Sequence, residues 1–179
     1  MALVVTLGGL HGTGKSSVAD RLAKEFNLRR VSAGQIFRGL AAEKGMDLEE
    51  FSAYAEDNKK VDMKLDARLK AEAKKGNVIL DGQLAAWMAG KHADLRILLT
   101  APLDIRVQRI ADRDETTFED AKEETLTREE SERERYKDYY GIDISDHSVY
   151  DLILNTEIYP LEGVVSILST AIRHLDSYK

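Results

Sequence analysis

The sequence predicts an α/β fold, with helices on both faces of a mainly parallel sheet, and three observations carry that prediction. Short β-branched and apolar runs, LVVTLG at 3–8, VIL at 78–80 and DLRILLT at 94–100, read as buried strands. Between them lie segments whose apolar residues recur at helical spacing. A glycine-rich turn, GLHGTGKSS at 9–17, joins the first run to the first of those segments. The length of 179 residues suits one domain with a single substantial core.

From Lys15 to Phe26 the residues Val18, Ala19, Leu22, Ala23 and Phe26 share one helical face, opposite Asp20, Arg21, Lys24 and Glu25. Residues 28–31 read as a second strand. Ser32 stands where a helix N-cap belongs, ahead of Ile36, Phe37 and Leu40, and Gly45 ends that helix. Asp47 with Glu50 three residues on has the pattern of a capping box and opens a further helix containing Leu48, Phe51 and Tyr54. The charged amphipathic stretch 59–75 is closed by Gly76, so 32–75 forms a helical excursion from the sheet. Pro102 suits the first turn of the helix after the fourth strand. Residues 114–140 are rich in charge with few breakers and read as a solvated helix pair ended by Gly141. YDLILN at 150–155 is the fifth strand, and Pro160 opens a closing helix with Leu161, Val164, Val165, Leu168 and Ile172 on one face. Ligands in such sheets sit beyond the carboxyl ends of the strands, where both excursions emerge.

Composition excludes several classes. Apolar residues make up 43% and charged residues 32%, enough for a packed core and too interrupted for a membrane span. The net charge of −6 argues against a general grip on nucleic acid, while a small anionic substrate held by local arginines stays open. With no cysteine, disulfides and thiolate metal sites are excluded. The opening residues read as a strand rather than a signal peptide, so a cytoplasmic enzyme, monomeric and without a membrane partner, is expected.

Gly9, Gly14, Lys15 and Ser16 satisfy GxxxxGK[ST] in the required strand, loop, helix context. Along Gly9, Leu10, His11, Gly12, Thr13, Gly14, Lys15, Ser16 and Ser17 the backbone N–H groups can wrap a polyphosphate, Lys15 can reach its outer oxygens, and Ser16 can ligate Mg²⁺. His11 reads as a tolerated loop residue rather than a catalytic base. Asp81, followed by Gly82, ends the third strand; a role at the metal or the acceptor stands level with a plain Asp-Gly turn. Arginines stand at 38, at 106, 109 and 113, and at 128, 133 and 135. Phosphoryl transfer needs several guanidiniums around the phosphates, and mobile excursions can bring them in when substrate is bound. For Arg106 and Arg133 singly, surface pairing with the abundant glutamates is the preferred reading.

The assembly resembles the nucleoside monophosphate kinases and is similar to the cytidylate kinases, most closely their short archaeal type. VSAGQIFRGLA at 31–41 matches that family's monophosphate-binding segment, RVQRIADR at 106–113 its arginine-bearing helix, TREESERERYKDYYGIDI at 127–144 its lid, and YDLILNT at 150–156 its closing strand. The resemblance implies a P-loop NTPase fold of three α/β/α layers with a five-stranded parallel sheet. It implies one kinase domain, with a core at 1–31, 76–113 and 144–179, a monophosphate-binding insertion at 32–75 and a lid at 114–143. It also implies transfer of the ATP γ-phosphate to CMP or dCMP with Mg²⁺. By matching position, Ser32 and Arg38 contact the acceptor, and Arg128 and Arg135 close on the phosphates as catalytic groups with Lys15; Gly34, Asp81, Gly82 and Gln83 are further candidates for the acceptor site, and Arg109 and Arg113 for the ATP site. Gln83 stands where the family usually has arginine; an amide can hydrogen-bond a base edge but cannot balance a phosphate charge. Two alternatives stay open: a P-loop kinase for AMP, UMP or a non-nucleotide acceptor, and a nucleotide-dependent ATPase or switch.

Overall fold

The computed structural model describes residues 2–175, so residue 1 and residues 176–179 of the expected core lie outside the described residues. In chain order the elements are β1 (Val4–Gly8), α1 (Lys15–Glu25), β2 (Arg29–Ser32), α2 (Ala33–Glu43), α3 (Leu48–Glu56), α4 (Lys60–Lys75), β3 (Val78–Asp81), α5 (Ala85–Ala89), β4 (Leu95–Thr100), α6 (Leu103–Asp114), α7 (Phe118–Tyr140), β5 (Leu152–Asn155) and α8 (Leu161–His174). The five strands are parallel in the order β2-β3-β1-β4-β5. The chain leaves β1 toward one edge of the sheet and later returns to build the other. The carboxyl end of β1 is therefore the topological switch point, and the glycine-rich turn starts there.

Alternate residues of β1 feed two separate cores, as period-two geometry requires. Val5 and Leu7, with Ile79, Ile97 and Leu99, pack against Val18 and Leu22 of α1 and Leu168 and Ile172 of α8. Val4, with Val78 and Leu80, packs against Leu65 and Leu69 of α4 and Ala85 and Met88 of α5. Strands β1 and β3 are buried along their whole length. Edge strand β5 is not: it alternates half-buried and exposed, with Ile153 49% exposed. The Asp47–Glu50 capping box forms as expected, and Gly76 ends α4 with a positive φ of 69°. Among the described residues no helix is long and apolar enough to cross a membrane.

Two expectations fail. Residues 114–140 are not a solvated helix pair. Helix α6 runs on to Asp114, Glu115 turns the chain in the left-handed region at φ 54°, and Thr117 caps one 23-residue helix by accepting from the Asp120 amide at 3.1 Å. That helix buries Ala121, Thr125, Glu129 and Arg135. Nor is Arg106 a surface charge. It is 5% exposed against 4% for Glu129, and the two form a forked pair with N···O distances of 2.6 and 3.3 Å. Arg133 is exposed, as expected.

A charge buried in this way is held only while its partner is present. Glu129→Ala should lower the unfolding free energy by about 3–5 kcal/mol, and the double change Arg106→Met with Glu129→Leu should recover most of that loss. Urea unfolding followed by circular dichroism checks both. A loss below about 1 kcal/mol in the single variant would place this pair with surface ion pairs.

Candidate active site

One cleft of about 940 Å³ lies beyond the carboxyl ends of the strands and is lined by both the glycine-rich loop and the first excursion. The loop is shaped by backbone contacts that exclude side chains. Gly9 has φ 136° with the Leu99 carbonyl where a Cβ would stand, and Gly12 has φ 78° against the Arg106 backbone. Thr13 is buried and donates to the Leu10 carbonyl at 2.9 Å. Gly14 caps α1 with no side-chain acceptor, so the first-turn N–H groups of that helix stay available to an anion. Lys15 Nζ donates to the Leu10 carbonyl at 2.7 Å. Burial pulls the Lys15 pKa down to about 8, against the opposing pull of Asp81, Glu132 and Glu129.

His11 is not the passive loop residue expected from sequence. Its Nε2 lies 2.8 Å from Glu132 Oε2, its N–H donates to Glu129 at 3.2 Å, and its carbonyl accepts from Arg106 at 2.8 Å. Thr156, which sequence reading passed over, locks the other side of the loop. Its hydroxyl is 3.0 Å from the Thr13 carbonyl and accepts from Arg109 Nη1 at 2.9 Å, while Arg109 Nη2 donates to the Thr156 carbonyl at 2.8 Å. Arg109 is thereby fixed beside the loop, 3.4 Å from the Gly12 carbonyl. Arg113 stands at the rim, paired with Asp114.

On the opposite wall, strand register sets the geometry. Leu7 of β1 is level with Asp81 of β3, and Ser32 of β2 is level with Asp81. Asp81 is 3% exposed; it accepts from Ser32 Oγ at 3.0 Å and from Arg30 Nε at 2.7 Å. Ser32 also caps α2 by accepting from the Gln35 amide at 3.3 Å. Gly82 leaves room for Ala33, and at Gly34 a Cβ would come within 3.4 Å of the Arg38 guanidinium. Among the described residues no carboxylate lies within ion-pair distance of Arg38, and burial, then Arg113 and Arg128, weaken its hold on its proton. Three guanidiniums therefore converge, with Asp114 and Glu124 beside Arg113 and Arg128.

Arg128 and Arg135, the arginines expected in a lid, differ from each other. Arg128 has a buried Nε with no partner and only a loose contact to Glu124 at 3.6 Å. Arg135 is 6% exposed and donates to Asp62 at 3.0 Å and to Ser131 at 2.6 Å. Gln83 Nε2 reaches Glu132 at 2.5 Å. Burial alone would raise the Glu132 pKa, yet His11, Arg128 and Arg135 hold it down at about 2. Tyr136 is deeply enclosed among these charges, and burial followed by Glu132 pushes its pKa up.

The cleft thus gathers Gly9 through Ser17, Ser32, Gly34, Arg38, Asp81, Gly82, Gln83, Arg109, Arg113, Arg128 and Arg135 around one space, with Gly9 and Leu10 behind the loop rather than on its lining. Sequence reasoning missed Asp62 and Asp66, whose spacing of four residues on α4 was a visible sign of a shared face. It also missed Glu129 and Glu132, which no periodicity separates from their charged neighbours.

The model of the cytidylate kinase-like family matches residues 4–158. A cytidylate kinase of Methanocaldococcus jannaschii is 47% identical, the match covering 97% of this chain and 99% of that one. One of Pyrococcus horikoshii is 47% identical over 97% of this chain and 90% of its own, and one of Haloquadratum walsbyi 48% identical over 95% and 89%. Among solved structures, a shikimate kinase from Bacteroides thetaiotaomicron superimposes with a TM-score of 0.63 at 13% identity over 96% of this chain and 98% of that one. A gluconokinase from Sinorhizobium meliloti gives 0.64 at 12% identity over 99% and 95%. These two establish the P-loop kinase fold alone, whereas the family match and the level of identity to curated relatives settle kinship: the chain belongs to the cytidylate kinase-like family.

Proposed function

We infer that the protein is an ATP-dependent kinase that transfers the γ-phosphate of ATP to CMP or dCMP, giving CDP or dCDP. The observation that carries this reading is the convergence, in one cleft, of a donor loop bearing Lys15 with the Arg38, Arg113 and Arg128 guanidiniums. Kinship with curated cytidylate kinases supports the choice of acceptor. The setting proposed is a cytoplasmic monomer.

In this reading the loop amides and Lys15 hold the β- and γ-phosphates, with Arg109 and Arg113 on the ATP side. Ser32, Gly34 and Arg38 hold the acceptor monophosphate with Asp81, Gly82 and Gln83. An acceptor phosphate oxygen attacks the γ-phosphorus in line while Lys15, Arg128 and Arg135 balance the charge on the equatorial oxygens. The donor set fits Mg²⁺: the Ser16 hydroxyl is exposed at the start of α1, and no cluster of three or more acidic or histidine ligands exists among the described residues, as expected for an ion held mainly by phosphate oxygens and water. Held there by the Ser16 hydroxyl and the nucleotide, Mg²⁺ would supply charge neutralisation to the transferring phosphate.

The insertion at 32–75 and the lid at 114–143 are proposed to close on substrate over the core at 1–31, 76–113 and 144–179. Side-chain bonds already tie them: Arg135 to Asp62, Ser131 to Glu56 at 2.6 Å, and Tyr139 to the Glu56 carbonyl at 2.9 Å. Closure would exclude the water that otherwise hydrolyses ATP.

ADP formation from ATP should be strongly stimulated by CMP or dCMP; turnover that ignores every monophosphate would overturn the kinase reading. Lys15→Ala should lower kcat by roughly 10²–10³-fold or more. Arg38→Ala should act chiefly on the acceptor, raising its KM about tenfold or more with little change in the KM for ATP. An unchanged acceptor KM would remove Arg38 from that site.

Lys15 also gives ATP binding a proton signature. Its pKa of about 8 in the empty cleft should rise when phosphates surround the ammonium, so binding at pH 8 should take up roughly half a proton, falling toward none by about pH 6.5. Calorimetry at pH 8 in two buffers of different ionisation enthalpy measures the uptake. Lys15→Arg should abolish it; equal uptake in that variant would assign the proton elsewhere.

A further inference from the structure

Two acceptor atoms in the cleft, Asp66 Oδ2 and Gln83 Oε1, have no close hydrogen-bond partner, the Tyr140 hydroxyl facing the Asp66 carboxylate without closing a bond of good geometry. Asp66 is 4% exposed and Gln83 is 9% exposed. Asp62, one helical turn before Asp66 on α4, is already committed to Arg135, and the Gln83 amide nitrogen is committed to Glu132. Two buried acceptors are therefore left over in a polar arrangement where Asp62, Arg135, Glu132 and the Gln83 amide nitrogen are matched, and such leftovers call for an account. The adjoining lining is apolar, from Phe37, Leu65, Leu69 and Leu84, which suits the faces of a flat ring. In the reading above Arg38 holds the acceptor monophosphate, whose base then extends toward this lining.

The chemistry of the pyrimidines supplies the missing partner. Cytosine carries an exocyclic amino group, two N–H donors, where uracil carries a carbonyl acceptor. An ionised carboxylate can only accept, as can the free oxygen of Gln83. Resting on the acceptor reading above, we propose that Asp66, assisted by the Oε1 of Gln83, reads the acceptor base by accepting from its exocyclic amino group, and so selects cytosine over uracil monophosphates. A uracil carbonyl in that position meets acceptors alone and leaves them unpaired, which is the strong form of polar discrimination.

The selection should depend on pH. Burial pushes the Asp66 pKa up to about 6; Tyr140 acts against that shift, Asp62 adds to it and Lys70 opposes it. The titratable and charged groups facing Asp66 are Asp62 and Lys70 on α4, with Tyr136, Tyr140 and, through Asp62, Arg135 on α7; α5 contributes apolar residues only. Above this pKa the group accepts only. Below it the carboxylic acid can donate, and a uracil carbonyl becomes an acceptable partner. Ionisation of the acceptor's own phosphate is common to CMP and UMP and cancels in their ratio.

The experiment is the ratio of kcat/KM for CMP to that for UMP, measured between pH 5.5 and 8 in the wild type and in Asp66→Asn. The wild-type ratio should fall several-fold as pH drops through about 6. In Asp66→Asn the ratio at pH 8 should be lower by about tenfold or more and should not vary with pH. Equal losses for both substrates, with the ratio preserved, would show a purely structural role and overturn the proposal. So would a wild-type ratio flat across this range, a result that stands even if the variant fails to fold. Turnover indifferent to both monophosphates is a separate result: it overturns the acceptor reading, and the base assignment falls with it.

Discussion

The buried ion pair between Arg106 and Glu129 is the joint on which the site depends. Arg106 belongs to the helix that follows β4 and Glu129 to the long helix after it, yet both also hold the loop: the Arg106 guanidinium donates to the His11 carbonyl and the Glu129 carboxylate accepts from the His11 N–H. One pair of side chains thus fixes the angle between α6 and α7 and the path of the phosphate loop together. Geometry that must persist through every turnover is carried by groups almost sealed from water, where exchange with solvent cannot compete.

A balance of charge follows from that joint. Glu129 and Glu132 stand close to Lys15, and Glu132 is ringed by His11, Arg128 and Arg135. The protein has a net charge of −6, and in its cleft Lys15 and the arginines stand among carboxylates, with Arg38, Arg113 and Arg128 gathered together. An acidic surface around clustered guanidiniums favours small, highly charged anions over polyanionic chains, whose extended backbone would meet repulsion outside the pocket. In the proposed function, what matters is where the arginines are, not how many there are.

The same distinction explains what could be read from the sequence. Strands β1, β3 and β4 were legible because burial on two faces leaves a continuous apolar signature, and the glycine loop because only glycine tolerates the backbone at Gly9 and Gly12. The capping box at Asp47 was legible because its chemistry is local. The packing of α7 was not: its buried stripe is alanine, threonine, glutamate and arginine, and hydropathy treats three of those as solvent-facing. Arg106 was misplaced for the same reason, since its partner lies 23 residues away on another helix. Helix α5 has five residues, too few to show a period, and the exposure of β5 follows from its place at the sheet edge, which strand composition does not encode. Resemblance supplied Arg128 and Arg135 as lid residues; only the fold showed that Arg135 is engaged with Asp62 while Arg128 is not.

That last difference bears on how transfer is kept from becoming hydrolysis. Arg135 is held to the acceptor-binding excursion by a buried bond to Asp62, and a buried guanidinium does not leave a carboxylate for nothing. In the proposed reaction a phosphate dianion is the partner that can replace Asp62 at the guanidinium, and Asp62, whose pKa burial already raises, can take up a proton as Arg135 leaves. Water cannot do so. Arg135 is then delivered to the transferring group only when an anion is in place, whereas Arg128, with its unpartnered Nε, is ready to meet the first phosphate that arrives. The glycine-rich loop is fixed against backbone, whereas Arg135 is held by an exchangeable ion pair. In the proposed reaction, a site arranged in that way holds ATP rigidly and completes its catalytic charge as a phosphate displaces Asp62 from Arg135.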